Sequence, residues 1–307
     1  MRLLAIINPS AGRETFQKEI YNMLTGLTET ETFSKVVIRY TQGFGHANNL
    51  VQEEGKNYDI IAAVGGDGTV HEIVNGLMKA GHKTPVAIIA AGTVNDFAIA
   101  TNLPLKTEDI RQMLLQPRIH MIDLGHSAGN YFFNVCAGGM LADVAYRTTS
   151  TSKTVLGRLA YVLNAATDLP VRLFRPLHLS IETDNDLITG PMYLFMVANT
   201  RSVGGFRAIA PDSKPDDGLL DIIAIRAEGP APIGSMATLL VKTLNGSHIE
   251  HRNFYYKQTT KATIIELENK ETPLDMDGEQ KGSLPATIEV VPSAFPLILP
   301  QDHKPQT

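Results

Sequence analysis

Short apolar runs recur through the first third of the chain, at residues 3–7, 35–40, 60–64 and 86–90, each closed by a Gly, Thr or Asn turn. Runs of this length and composition are the pattern of strands buried on both faces. Between them, residues 15–27, 46–54 and 69–79 carry apolar side chains at helical spacing, with Val70, Ile73, Val74 and Leu77 marking the last. Strand, helix and strand in repetition predict an open, mostly parallel α/β sheet. Ligands of such sheets bind beyond the C-terminal ends of the strands, which singles out the loops at 8–12, 41–45, 65–69 and 92–96.

After about Asp123 the pattern changes. Residues 131–135, 177–182, 191–197, 218–225, 261–267 and 286–291 are strand-like, with helical spacing near 156–167 and 232–243. These pieces predict a β-rich, antiparallel second domain over 123–293. The first domain is expected over 1–122, and the apolar tail at 294–307 is a candidate to complete it.

Composition narrows the function classes. The chain has 307 residues, 43% hydrophobic and 19% charged, which suits a packed core rather than disorder. Lys and Arg number 27 against 32 Asp and Glu, a formal charge of -5 without a basic block. That balance argues against nucleic acid as a partner and against recruitment to anionic lipid by bulk charge. The single cysteine, Cys136, permits no internal disulfide, and the absence of CxxC or His/Cys pairing excludes structural zinc. A reducing, cytoplasmic setting is expected. The run at 3–7 is too short for a signal sequence, and no apolar stretch reaches the ~20 residues of a bilayer crossing.

Two loops carry candidate chemistry. Gly65-Gly66-Asp67-Gly68-Thr69 lies between a buried strand and a helix. Its glycines allow close backbone approach, so main-chain N–H groups and the helix N-terminus can meet phosphate oxygens. The competing explanation is a tight turn capped by Asp67 or Thr69. It is neither a Walker loop nor a dinucleotide fingerprint. Gly92-Thr93-Val94-Asn95-Asp96-Phe97 follows the next strand and would converge on the same crevice.

Asn8-Pro9-x-x-Gly12, Gly43-x-Gly45-His46-Ala47, Gly65-Gly66-Asp67-Gly68-Thr69, Gly92-Thr93-x-Asn95-Asp96-Phe97-Ala98, Asp216-Asp217-Gly218-x-Leu220-Asp221 and Asp277-Gly278-Glu279 occur in an order that resembles the diacylglycerol kinase-like lipid kinases, over nearly the whole chain. The chain is similar to the soluble bacterial members. It departs from them at Ile99, where the family often has Arg.

The resemblance implies an ATP site at Thr41, Gly65, Gly66, Asp67, Gly68, Thr69, Val70 and His71, with Thr93 from the neighbouring loop. Asp67 would be catalytic, holding Mg²⁺ and triphosphate, and Mg²⁺ favours such oxygen ligands. Asn8 and Asn95 are weaker candidates that turn-capping explains nearly as well. Glu279 would be the general base on the lipid hydroxyl, although an isolated Asp-Gly-Glu reads as a solvated turn. A second metal would be held by the Asp217 side chain and the Lys214 and Leu219 carbonyls; a plain Pro-Asp-Asp-Gly turn fits the same residues.

Diacylglycerol, another glycerolipid and a sphingoid base all fit as acceptor, met by peripheral, transient membrane contact; a homodimer is compatible. Residues 201–210, with Arg201, Val203, Phe206 and Arg207, could supply a membrane patch or a buried turn. His46, His71 and His126 lack partners at metal spacing and suit loop and cap roles, although His46 could face the nucleotide through its loop. Cys136 is expected in the core; Tyr131, Phe132 and Phe133 could meet lipid, with burial between strands favoured. The rival readings are an NAD kinase, which shares the GGDG loop, and a non-enzymatic nucleotide-binding regulator, against which Glu279 argues.

Overall fold

The computed structural model describes residues 1–92, 95–139, 176–203, 208–227, 249 and 251–302. Thr93, the helices expected near 156–167 and 232–243, and Phe206 and Arg207 lie outside them. The chain divides into two compact units, Met1–Ile122 with Ser293–Thr307, and Asp123–Pro292.

In the first unit, β1 (Arg2–Ile7) pairs in parallel with β2 (Lys35–Tyr40) and β3 (Ile60–Gly65), and β3 with β4 (Val86–Ala90). Leu297, near the end of a strand from the C-terminal segment, pairs in parallel with Val86. Every residue of β3 is buried, as expected for a central strand covered on both faces. Leu3, Leu4, Ile6 and Ile61 are fully buried. Each such side chain contributes roughly 1.5–3 kcal/mol of transfer free energy.

Helices α1 (Glu14–Gly26), α2 (His46–Glu54) and α3 (Asp67–Ala80) connect these strands. α4 (Asp96–Ala100) and α5 (Thr107–Leu115) follow β4. α3 ends at Gly81, whose φ of 66° supplies the left-handed cap. The chain steps from β1 outward to β2 and then returns past β1 to β3. Strand order therefore reverses between β1 and β3, the position at which open α/β sheets form a ligand crevice.

The second unit is antiparallel. Its strands are β5 (Arg118–Ser127), β6 (Asn130–Phe132), β7 (Val135–Gly139), β8 (Leu177–Thr183), β9 (Leu187–Ala198), β10 (Leu220–Arg226), β11 (Phe254–Thr259), β12 (Lys261–Glu266), β13 (Pro273–Met276), β14 (Glu279–Ser283) and β15 (Ala286–Leu299), of which β5 begins and β15 ends in the first unit. β9 lies between β7 and β8 and also pairs with β10, while β13 pairs with β7 and β14. Alternation along β10 builds two cores. Leu220, Ile222 and Ala224 join Phe132, Phe195 and Ile264, whereas Ile223 and Ile225 join Met196, Val203 and Phe254.

Cys136 is fully buried, and burial pushes its thiol well above the ordinary range. Phe132 and Phe133 are buried as well. The single strand expected at 131–135 is instead two, interrupted at Phe133 and Asn134 because their amides turn to the Asp277 carboxylate rather than to a ladder partner. Helices α4 and α5 and strands β5, β11, β13 and β14 add to the expected elements.

Candidate functional site

Three loops meet at the C-terminal edge of the parallel sheet. The Asn8 side chain spans the switch point, donating from Nδ2 to Thr69 Oγ1 at 3.2 Å, while its Oδ1 accepts the Ser10 amide at 2.9 Å. The β4 loop is tied in by the Ala91 amide, which donates to Gly65 O at 2.9 Å. Gly66 and Gly92 then lie backbone to backbone. A Cβ on Gly92 would fall 2.6 Å from Gly66 Cα, so both positions must lack a side chain for the loops to approach. Asn95, at φ 53°, braces its own loop: Oδ1 accepts the Gly92 amide at 2.8 Å and Nδ2 donates to Gly92 O at 2.9 Å.

The cap position of α3 is held by a residue without a side chain. Gly66 is the N-cap, in extended conformation and without a side-chain cap bond, and Asp67 opens the helix. Amides at a helix N-terminus carry partial positive charge and suit an anion. Thr69, Val70 and His71 are buried in the first turns of α3, with Asn75 Nδ2 3.3 Å from His71 Nε2. Those two side chains pack within the helix layer, and what they can offer a phosphate is their position in the helix start.

The β2 loop is fastened to the same helix. Thr41 continues the sheet, its amide donating to Ile7 O at 2.9 Å. The Glu72 carboxylate of α3 accepts the amides of Gly45 at 2.8 Å and Ala47 at 3.0 Å. His46 Nδ1 accepts the Gln42 amide at 3.0 Å, a loop-capping role.

In the second unit, Asp277 and Gly278 form the two-residue turn between β13 and β14, with φ of 53° and 91° and Met276 paired to Glu279. Positive φ at both positions is the type I′ geometry that Asp-Gly favours. The turn is not simply solvated. Asp277 is buried, and its carboxylate accepts the amides of Phe133, Asn134 and Val135, each at 3.0 Å. The Asp277 amide donates to Val135 O at 2.9 Å. Glu279 follows, partly buried, as the first residue of β14.

The loop containing Lys214, Asp217 and Leu219 is organised by Asp123. The buried Asp123 carboxylate accepts the Gly218 amide at 2.7 Å, and its own amide donates to Pro215 O at 2.7 Å. Asp217 Oδ1 accepts the Leu219 amide at 3.0 Å. Much of Asp217 meets solvent, yet burial of its carboxylate raises its pKa; the nearby charges of Asp123 and Asp216 also raise it, against the Leu219 amide and Lys214. Oxygen donors and crowded negative charge fit a hard divalent cation. Among the described residues, no three His, Cys, Asp or Glu side chains form a metal cluster, so a cation here would draw on main-chain carbonyls as well.

Sequence comparison places this geometry. The diacylglycerol kinase catalytic domain matches residues 2–127, and the YegS C-terminal NAD kinase beta sandwich-like domain matches residues 134–299. A diacylglycerol kinase of Bacillus subtilis (strain 168) is 34% identical, the match covering 99% of this chain and 98% of that protein. The chain belongs to the diacylglycerol kinase family. A relative of the same name from Staphylococcus saprophyticus is 30% identical, over 99% of this chain and 97% of its own. Two crystal structures from Bacillus anthracis str. Sterne, at 24% and 22% identity, superpose with TM-scores of 0.83 and 0.76, each over 99% of this chain and 98% of the other, and so share the fold.

Within this diacylglycerol kinase scaffold the structure brings together Asn8, the stretch from Gly65 to Thr69, Gly92 and Asn95, and fastens the Thr41 loop beside them. The sequence reading missed Glu72 and Asp123, and it named Asp277 only as part of the Asp-Gly-Glu run, without its bonding role. Each acts through main-chain amides remote in sequence, Asp277 on residues 142 to 144 positions away. For Asp277 the Asp-Gly hairpin signal was present in the sequence; for Glu72 and Asp123 no local signal existed.

Proposed function

We propose that this family member is a kinase that transfers the terminal phosphoryl group of ATP to a hydroxyl of diacylglycerol or a related lipid. The observation that supports it best is the glycine-only contact of Gly66 with Gly92 beside a helix start whose cap residue is glycine. That arrangement offers main-chain donors to a polyphosphate without a Walker lysine. The kinship with proteins named diacylglycerol kinase supports the choice of acceptor.

In this reading Thr41, Thr93 and residues 65–71 bind the nucleotide, and Asp67 with the triphosphate holds Mg²⁺. Bound Mg²⁺ supplies the positive charge that the loop itself lacks. Asn8 and Asn95 hold the loops in register. Glu279 accepts the proton of the attacking hydroxyl, and Asp277 fixes the turn that presents it. A carboxylate is enough for that task because phosphoryl transfer depends mainly on positioning and charge stabilisation. Asp217, with the Lys214 and Leu219 carbonyls, holds a structural cation.

No helix among the described residues is long and apolar enough to cross a membrane, in keeping with a cytoplasmic enzyme that meets its lipid by transient peripheral contact. Whether it works as a homodimer is answered by light scattering of the purified protein.

The deciding experiment is transfer of radiolabel from γ-labelled ATP to diacylglycerol, other glycerolipids and sphingoid bases in mixed micelles, with NAD as a soluble control. Label in a lipid that disappears with EDTA supports the proposal. Label in NAD and in no lipid overturns it.

A further inference from the structure

Phe44 is the most exposed large apolar side chain among the described residues, at 74%. Single exposed apolar residues are ordinary on protein surfaces. What sets this one apart is the rigidity of its support. The two glycines beside it, Gly43 and Gly45, have open space around them, with φ 79° at Gly45. The main chain on either side is nonetheless pinned: Gln42 N to His46 Nδ1, His46 N to Gly43 O, and Gly45 N and Ala47 N to Glu72. Glu72 belongs to α3, whose first turn is the phosphate-binding candidate. The backbone that carries the exposed ring is thus tied to that helix.

The registers set the distance. Ile7 of β1 pairs with Tyr40 of β2 and Val64 of β3, so the three strands end level and their following loops start from one edge. Two strand spacings separate the β2 and β3 ends, about 10 Å at ~4.8 Å each. In the proposed reading, an extended nucleoside triphosphate with its phosphates over Gly66 and its sugar toward Thr41 would bring its base to the β2 loop. Bases stack on aromatic rings whatever their hydrogen-bonding pattern, because every base presents a π face.

We infer that Phe44 forms the base platform of the nucleotide site, stacking on the purine, with Glu72 as the positioning residue that fixes its loop to the phosphate-binding helix. The inference rests on the reading of residues 65–69 as the phosphate site and adds the base contact to it. It also accounts for the Glu72 bonds, which join the β2 loop and the first turn of α2 to α3.

The test is calorimetric titration of wild type, Phe44→Ala and Phe44→Trp with MgATP and with magnesium tripolyphosphate, a probe that has no base. Phe44→Ala is safe for folding because the ring is mostly in solvent. The expected result is a roughly tenfold or greater rise in Kd for ATP, the scale of one base–aromatic stack, with tripolyphosphate binding unchanged and Phe44→Trp restoring ATP affinity. Equal ATP affinity in wild type and Phe44→Ala overturns the inference while leaving the phosphate site standing. Failure of wild type to bind either probe removes the phosphate reading and the inference with it. A Phe44→Ala variant that binds ATP normally but loses co-sedimentation with diacylglycerol-containing vesicles assigns the ring to the membrane, and also overturns the inference.

Discussion

Replacing Gly92 by Ala tests the site at its tightest point. The added methyl carbon would sit 2.6 Å from Gly66 Cα and 2.7 Å from Asn95 Oδ1. Carbon atoms rest at about 3.5–4.0 Å, so the two loops must separate by about 1 Å. Gly66 cannot move alone, because its carbonyl accepts the amides of Thr69 and Val70 and the displacement carries the start of α3 with it. Asn95 would at the same time lose its brace on the Gly92 amide. A misplacement of about 1 Å in positioning groups costs on the order of 100-fold in rate, and overpacking typically destabilises by about 1–3 kcal/mol. The expected outcome is therefore a fall of about 100-fold in kcat/KM for ATP, with a melting temperature lower by several degrees. Steady-state transfer of labelled phosphate at saturating lipid, with melting followed by circular dichroism, measures both. Gly26→Ala is the control: no atom lies within 4 Å of that Cβ. A Gly92→Ala protein with wild-type kcat/KM would refute the view that contact between these loops shapes the nucleotide site.

Glu279→Gln should bind MgATP as wild type does and lose about 10²- to 10⁴-fold in kcat, the usual worth of a general base; near-normal turnover would disqualify Glu279. Asp277→Ala leaves three buried amides without their acceptor, at about 1–3 kcal/mol for each unmet group. It should therefore lower the melting temperature and kcat together while ATP affinity holds, and unchanged stability would contradict the bonding described. Asp217→Ala should abolish any rise in wild-type melting temperature caused by Mg²⁺ without nucleotide; absence of such a rise in wild type argues against the structural cation. Asp184 has its pKa lowered mainly by the Thr260 amide, then by the Thr259 and Thr260 hydroxyls. Its stabilisation is present above the unfolded carboxylate value of about 3.9 and is lost as pH falls through the lower folded value. Asp184→Asn should therefore cost stability at pH 7 and progressively less below pH ~4, as melting curves across that range will show; an equal deficit at every pH would rule the charge out as its source.

The first unit was largely legible because its signals are local. β2, β4 and α2 occupy the spans that the apolar periodicity marked, and β1, β3, α1 and α3 differ by one or two residues at their ends. The second unit was harder. β14 reads Glu-Gln-Lys-Gly-Ser, with no apolar alternation, and exists because the Asp277-Gly278 turn folds it onto β13. β11 begins at Phe254 and Tyr255, then becomes polar, so its pairing with β10 was not visible in periodicity. At the candidate site the glycines and carboxylates could be named, but not their work. Asn8 and Asn95 proved to be loop braces, while Glu72, Asp123 and Asp277 bind amides that only the fold brings near. Hydrogen bonds between residues 25 to 144 positions apart have no sequence period.

Strands β5 and β15 carry the chain out of the first unit and back into it, which makes the second unit an insertion held at both ends. Phe295, Leu297 and Ile298 are fully buried although they lie beyond the insertion. The first unit therefore cannot be cut out as one contiguous piece: stopping the chain at Ile122 leaves the β4 edge without the strand containing Leu297, and a bare edge of buried-type residues invites intermolecular pairing. A faithful excision would splice residue 122 to residue 293 through a short linker, keeping the last strand. On the same reasoning the strand containing Leu297 follows the whole second unit in sequence, yet pairs with β4 of the first unit, so folding of the first unit waits on a segment made after the second.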